Sequence, residues 1–115
     1  MIRLKRAYES AEDTDGVRIL VERLWPRGVT KARLRLDGWA RDVAPSPELR
    51  QWFGHVPDRW PEFRRRYFAE LRSNEEAWKP LLARARRGRV TLIYAARDTE
   101  RNGAVALKAF LEKQT

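Results

Sequence analysis

The stretch RVTLIYAA, residues 89–96, decides the fold of this chain. Its apolar side chains follow one another almost without interruption, which is typical of a buried strand in a parallel sheet. The residues just before it, Arg86, Arg87 and Gly88, predict the end of a helix, because cations and a glycine at C′ are favoured there. Asp98 follows the strand at its carboxyl end.

A second strand is predicted over residues 17–24. Its apolar residues divide between two faces: Val17, Ile19 and Val21 on one, Leu20 and Leu24 on the other. This division indicates an interior strand that helices cover on both sides. By the same alternation, Arg23 continues the face of Val21 near the end of the strand.

The first strand is short and an acidic loop follows it. Ile2, Leu4 and Tyr8 alternate with basic residues, which predicts a strand with one solvent-exposed face. Residues 9–16 are rich in acids and close with Asp15-Gly16, a turn signal. This connection is short for a parallel crossover, so an antiparallel arrangement of the first two strands stays open.

Helices are predicted between the second strand and the last one. The connection over residues 29–43 is interpreted as a loop with a short helix at 37–42. Ser46 and Pro47 suit the cap and the first position of a helix that ends near Gly54. Asp58 is expected to cap the next helix.

Two further helices follow. The sequence Ser73-Asn74-Glu75-Glu76 has the capping-box pattern and begins one of them, in which Pro80 is expected to cause a kink or a restart. Residues 104–113 predict a closing helix. Together the elements predict one domain over residues 1–115, a small layered α/β fold with a largely parallel central sheet flanked by helices.

Charge is the most unusual property of the composition. The formal net charge is +9, which attracts nucleic acid, phosphorylated ligands or other anions. An arginine-rich proteome would produce the same excess without any role in binding. The charge therefore concerns partners and not the fold.

Several classes of site are poorly supported. The chain has no cysteine, which excludes disulfides, thiolate nucleophiles and cysteine-based zinc sites, and it has a single histidine, His55. It lacks phosphate-loop, dinucleotide-binding and metal-ligand patterns, so no metal and no cofactor is predicted. Without a signal-peptide pattern or a membrane span, we expect a soluble, cytoplasmic protein with no membrane partner. The sequence does not indicate whether the protein is a monomer or an oligomer.

Four segments, in this order, carry a resemblance to a known family: VERLWPRG at 21–28, APSPELRQWFGH at 44–55, the spacing W-x-x-F-x-x-R-Y from Trp60, and TLIYAARD at 91–98. Together they resemble the YeaO-like branch of a bacterial family of domains of unknown function. The resemblance covers essentially the whole chain. It implies a small α/β domain and no established activity.

Two departures from the family pattern bear on chemistry. The branch commonly has an aspartate where Glu22 stands. More distant relatives often have a Cys-His pair after the last strand, where this chain has Asn102 and Gly103. The resemblance therefore implies that a thiol mechanism could not operate here.

A binding site is predicted beyond the carboxyl ends of the strands, where open α/β sheets place their ligands. An arginine pair there can grip a phosphate or a carboxylate. The predicted ligand-binding residues are Arg23, Trp25, Arg27, Gly28, Arg97 and Asn102. The candidate catalytic residues are Asp98, as a general base or an arginine-orienting carboxylate, and His55, as an acid/base group.

Each candidate also has a structural explanation. Arg27 can be an exposed loop residue, Arg23 can form an ion pair with Asp42 or Asp98, and Asp98 can cap the last helix. His55 can be a packed loop residue. The alternative function is nucleic-acid binding through the basic surface, with Arg64 to Arg66 and the arginines at 84, 86, 87 and 89 as phosphate contacts.

Overall fold

A single parallel sheet forms the centre of the computed structural model, which describes residues 1–114. Within them are four strands: β1 (Ile2–Arg6), β2 (Val17–Leu20), β3 (Gly38–Trp39) and β4 (Val90–Tyr94). The strand order is β1-β4-β2-β3, and every neighbouring pair is parallel. All residues of β4 are buried, as its apolar run predicts. The α/β class with a parallel central sheet is confirmed.

The first two strands are parallel, so the antiparallel alternative is wrong. They are not neighbours, because β4 lies between them and pairs with both. The Ala7 N–H donates to the Tyr94 carbonyl at 2.7 Å, and the Val17 N–H donates to the Arg89 carbonyl at 3.0 Å. The connection thus spans only the length of β4, about 17 Å, and ten residues can reach about twice that distance without a helix.

Helices cover one face of the sheet. The same part of the chain, residues 1–114, contains α1 (Lys31–Leu34), α2 (Pro47–Phe53), α3 (Trp60–Arg72), α4 (Glu75–Arg87) and α5 (Gly103–Glu112). Phe63, Tyr67 and Leu71 form the buried stripe of α3, and their side chains join the larger core with those of α4, α5 and β4. No helix among the described residues has the length and apolar character needed to cross a bilayer.

The other face has a thinner cover than the sequence predicts. Residues 21–37, which include the one-turn α1, fold over Leu20 and Ile93 and form a smaller core there. Trp25 and Trp39 meet edge to face with their ring centroids 5.6 Å apart. The indole N–H of Trp25 donates to the Val29 carbonyl at 2.6 Å and thereby fixes the loop. A loop and a short helix, instead of a helical layer, close this side.

The strand predicted over residues 17–24 ends at Leu20. The Val21 N–H still donates to the Ile93 carbonyl at 3.2 Å, but after it the chain leaves the sheet. Leu24 is 65% exposed and does not pack on the second face. The pairing of β2 with β3 and its pairing with β4 both end at Leu20.

β3 replaces the helix predicted at 37–42. The Arg18 N–H donates to the Asp37 carboxylate at 2.8 Å, and the Asp37 N–H donates to the Arg18 carbonyl at 2.8 Å. These bonds hold residue 37 beside β2 and start the pairing. A Cβ on residue 38 would lie 3.0 Å from Cδ1 of Ile19, so a glycine suits this close approach.

Of the caps predicted at the starts of α2, α3 and α4, one forms and two do not. Ser46 caps α2 as predicted, accepting from the Leu49 N–H at 3.2 Å. Asp58 does not cap α3, because a 3-10 turn (Pro57–Arg59) leads into that helix. The capping box predicted from Ser73 does not form: the residue before α4 is Asn74, whose side chain makes no capping bond and whose amide donates to the Asp42 carbonyl at 2.9 Å.

α4 runs through Pro80, near its middle, without a restart. It ends before Gly88, whose φ of 174° is extended, so this glycine is not a left-handed C′ residue. α5 begins one residue earlier than predicted.

Candidate functional site

A cavity of about 280 Å³ opens beyond the carboxyl ends of β2 and β4. Its walls come from five parts of the chain: residues 21–24 after β2, residues 94–96 at the end of β4, α2 with the loops on either side of it, Phe63 of α3, and the region where α5 begins. The position is the one that parallel α/β sheets favour for ligands. Its apolar walls include Val21, Phe53 and Phe63, and the last two rings stack with their centroids 4.4 Å apart.

Arg23 lines the cavity, as the sequence predicts, but much of its guanidinium is occupied. Its Nε donates to the Pro45 carbonyl at 3.1 Å and its Nη2 to the Ala44 carbonyl at 3.4 Å. These bonds tie the segment after β2 to the segment before α2. Neither Asp42 nor Asp98 pairs with Arg23 within residues 1–114, so the ion pair considered from the sequence is not formed.

Glu22 is a cavity residue that the sequence reasoning did not select. Both of its carboxylate oxygens accept from the Ala95 N–H, at 3.2 and 3.1 Å. Burial raises the pKa of Glu22, while the Ala95 N–H and the positive charges of Arg50 and His55 act in the opposite direction. Strand alternation would have placed this side chain on the opposite face from Arg23. Because β2 ends at Leu20, that alternation no longer applies.

Arg50, also missed, projects from α2 into the cavity region. Its side chain is exposed, and we find no hydrogen bond or ion pair from it to any other described residue. The field of Arg50 favours the ionised form of Glu22, but the two side chains are not joined by an ion pair. Arg50 is thus a cation that the fold itself does not use.

His55 lies at the rim of the cavity, directly after α2. Gly54 and His55 both have positive φ, 53° and 58°, and these two left-handed residues turn the chain sharply at the helix end. A positive φ is uncommon outside glycine, although histidine tolerates it better than most residues. The imidazole lies 5.9 Å from the Phe53 ring, centroid to centroid, and the residue is exposed.

Asn102 lines the cavity and caps α5. Its Oδ1 accepts from the Val105 N–H at 2.9 Å, and its Nδ2 donates to the Asp98 carbonyl at 2.8 Å. Its side chain is therefore satisfied by the fold. The next two residues, Gly103 and Ala104, also line the cavity, and their N–H groups belong to the first turn of a helix, where intrahelical acceptors are lacking.

Five of the residues selected from the sequence do not line this cavity: Trp25, Arg27, Gly28, Arg97 and Asp98. Trp25 packs in the smaller core on the other face of the sheet. Arg27 and Gly28 are exposed, and the Arg27 carbonyl accepts from the Tyr8 hydroxyl at 3.2 Å. Arg97 is also exposed. A role for these residues in ligand binding stays a prediction.

The Asp98 carboxylate is bound by residues 100 and 101 of the turn that follows it. Its Oδ1 accepts from the Glu100 N–H at 2.9 Å and from the Arg101 N–H at 3.1 Å, and its Oδ2 pairs with Arg101 Nε at 3.2 Å. The Glu100 N–H, followed by the Arg101 contacts, lowers the pKa of Asp98. Asp98 is not the cap of α5, which is Asn102. Its candidate catalytic role has no support from these contacts.

The basic surface is partly neutralised from within. Arg65 and Arg66 both pair with Glu62, at 2.6 and 2.7 Å. Arg66 also stacks over the Trp52 ring, with its guanidinium carbon 4.4 Å from the centroid. In the second cluster, Arg89 donates to the Thr14 carbonyl at 2.7 Å. Several of the arginines that composition suggests for phosphate contact therefore have partners in the protein itself.

The comparison with known protein families assigns the chain to one family. A family model described as "Inactive DUF488-N3 subclade" matches residues 1–115. The protein belongs to this family. The match covers every segment that carries the YeaO-like resemblance, so that resemblance is confirmed.

Two relatives are similar to this chain along nearly the whole length of both proteins. The chain is 46% identical over 111 residues to the uncharacterized protein YeaO of Escherichia coli, covering 96% of each chain. It is 41% identical over 110 residues to the uncharacterized protein Rv3073c of Mycobacterium tuberculosis, covering 96% of this chain and 92% of that relative. No solved structure matches.

Proposed function

We propose that this protein binds a small molecule that carries a carboxylate or phosphate group in the cavity beyond β2 and β4. The observation that carries the proposal is the Arg50 guanidinium, which borders the cavity without a hydrogen bond or ion pair to any residue from 1 to 114. Arginine binds planar anions through two parallel hydrogen bonds, which makes an unengaged arginine at a concave surface a natural anion receptor.

Other groups around the cavity add to this anion-binding character. Arg23 keeps its Nη1 available as a donor, because its side chain bonds to residues 1–114 only through Nε and Nη2. The N–H groups of Gly103 and Ala104 belong to the amino end of α5, which carries a partial positive charge. His55 supplies a further donor at the rim. These groups come from three separate elements and border one hollow.

Binding without turnover is better supported than catalysis. The chain has no cysteine, and the carboxylate of Asp98 is engaged by its own turn. The family description names the subclade inactive. We therefore assign His55 and Glu22 to ligand recognition, and we include Arg23 and Asn102 among the residues that shape the site.

The test is a titration with sodium phosphate and with sodium propionate, followed by the amide signals of Gly103 and Ala104 in a ¹H–¹⁵N NMR spectrum. Arg50→Ala is expected to weaken binding about tenfold or more, because a hydrogen bond to a charged group contributes about 1.5–3 kcal/mol. Arg87→Ala removes an equal charge from the exposed end of α4 and should leave the affinity unchanged. Arg27→Ala distinguishes this cavity from a site at the loop after β2.

Equal binding by wild type and Arg50→Ala, or no binding of either anion, would contradict the proposal. A loss of binding in Arg27→Ala but not in Arg50→Ala would move the anion site to the loop that the sequence suggested. Circular dichroism of each variant checks that the fold is retained.

A further inference from the structure

The cavity contains a carboxylate as well as cations. Glu22 borders the same hollow as Arg50, and no ion pair joins the two side chains among the described residues. A half-buried carboxylate is usually paired with a cation, because leaving it unpaired costs desolvation energy. Here the carboxylate of Glu22 and the guanidinium of Arg50 line the same cavity without forming an ion pair with each other.

Glu22 has acceptor capacity that the protein does not use. An ionised carboxylate offers about four acceptor positions. Both oxygens share a single donor, the Ala95 N–H, among the hydrogen bonds of residues 1–114. The Ala95 bond needs only one neutral acceptor, so a glutamine could satisfy it. The negative charge at position 22 therefore requires another explanation.

We propose that the ligand is a small zwitterion, in which a protonated amine meets Glu22 while the anionic group meets Arg50. This inference rests on the function proposed above and names the class of ligand for the same site. The chemistry is that of an amino acid or an amino-alkyl phosphate, with one cationic and one anionic end.

The size of the hollow fits such a ligand. Its 280 Å³ is at the lower limit of small-molecule sites, which span about 300–1,000 Å³. Apolar side chains, Val21, Phe53 and Phe63 among them, line the cavity together with the two charged residues. A short hydrocarbon link between amine and anion suits a wall of this mixed character.

Matched probes test the proposal by isothermal titration calorimetry. Phosphoethanolamine is compared with ethyl phosphate, and β-alanine with propionate, because each pair differs by the amine. We expect wild type to bind each amine-bearing probe about tenfold more tightly than its partner. Glu22→Gln should reduce this preference to less than threefold by weakening the amine-bearing probes, and it should not weaken ethyl phosphate or propionate, which have no amine to meet residue 22.

The outcomes separate the two proposals. Equal affinity within each pair, or a preference that persists in Glu22→Gln, would overturn the zwitterion and leave the anion site in place. No binding of any of the four probes would overturn both. The comparison within wild type requires no variant, so it decides the question even if Glu22→Gln fails to fold. Glu22→Asp, which keeps the charge, is expected to retain part of the preference.

Discussion

The Glu22 carboxylate is half-buried and has one backbone donor, so its ionisation costs more than it would in water. Burial is the largest cause of its raised pKa, and the Ala95 N–H, Arg50 and His55 offset it only in part. A protein retains such a group at a cost in stability. Binding a cationic ligand would remove part of that cost, which links the stability of this residue to the proposed site.

The contribution of Glu22 to the stability of the protein should depend on pH, in the direction that its raised pKa sets. A carboxyl whose pKa is raised by folding stabilises the protein fully below its unfolded value of 4.5, and this contribution is lost as pH rises through the folded pKa. We expect the melting temperature of wild type, relative to Glu22→Gln, to fall as pH rises from below 4.5 towards neutrality. Glu48→Gln, at an exposed position of α2, is the control. A constant difference across this range would contradict the raised pKa.

The sequence predicted the position of the cavity better than it predicted which residues line it. The rule that ligands bind beyond the carboxyl ends of strands selected Arg23 and Asn102, and His55 was selected by its chemistry; all three border the cavity. Glu22 was missed because strand alternation was applied past the real end of β2. Arg50 was missed because a single exposed helical arginine has no local signature, and only the tertiary arrangement places it at a cavity.

At the scale of elements, a buried ionic network joins β1, β2 and α1. Arg18 Nη1 donates to the Asp15 carboxylate at 2.6 Å, and Lys5 Nζ donates to the same carboxylate at 2.9 Å. Arg18 also donates to the Leu34 carbonyl at the end of α1, at 2.8 and 3.0 Å. Both Asp15 and Arg18 are almost fully buried, at 2% and 4% exposure.

Removing the central carboxylate should be costly. We expect Asp15→Asn to lower the free energy of unfolding by about 3 kcal/mol, because breaking a buried pair leaves an uncompensated buried cation. Asp13→Asn is the matched control, since Asp13 and Asp15 belong to the same 3-10 turn (Asp13–Asp15). Asp13 is exposed, and its Oδ1 lies 3.9 Å from Nη2 of Arg35. This variant should change stability by less than about 1 kcal/mol in urea unfolding. Equal effects of the two variants would contradict a structural role for the network.

The pH dependence of this network has the opposite sign to that of Glu22. Burial opposes ionisation of Asp15, but hydrogen bonds from the Glu12 N–H, Lys5 and Arg18 outweigh it and lower the pKa from 3.8 to about 2. Its contribution is therefore complete above 3.8 and is lost as pH falls through about 2. The stability difference between wild type and Asp15→Asn should shrink over the same acidic range.

The elements predicted best are those whose own residues carry a recognisable hydrophobic pattern. The buried run of β4 was visible because a strand covered on both faces is apolar along nearly its whole length. β3 was not, because two residues carry no period and this strand exists through its bonds to β2. Caps were predicted correctly at Ser46 and wrongly at Asp58, since a 3-10 turn can replace a side-chain cap.

At the scale of the whole molecule, the net charge of +9 is large and its arginines are unevenly engaged. Arg65 and Arg66 pair with Glu62, while Arg84 and Arg87 lie exposed on α4. A surface of this kind attracts polyanions through a general field, whereas the proposed cavity site would recognise one group through fixed donors. Salt separates the two modes, because counterion release governs only the first.

We expect mixed-sequence DNA to bind at low salt and to be released steeply as salt rises. With about four phosphate contacts, the slope of log K against log salt is about −3.6, so a tenfold rise in salt lowers the affinity about 4,000-fold. Arg84→Glu combined with Arg87→Glu should weaken DNA binding and leave phosphate binding in the cavity unchanged. Fluorescence anisotropy with labelled DNA measures the first effect, and NMR titration with phosphate measures the second. Tight, sequence-dependent DNA binding at physiological salt would instead support nucleic acid as the partner, since a general field cannot discriminate between sequences.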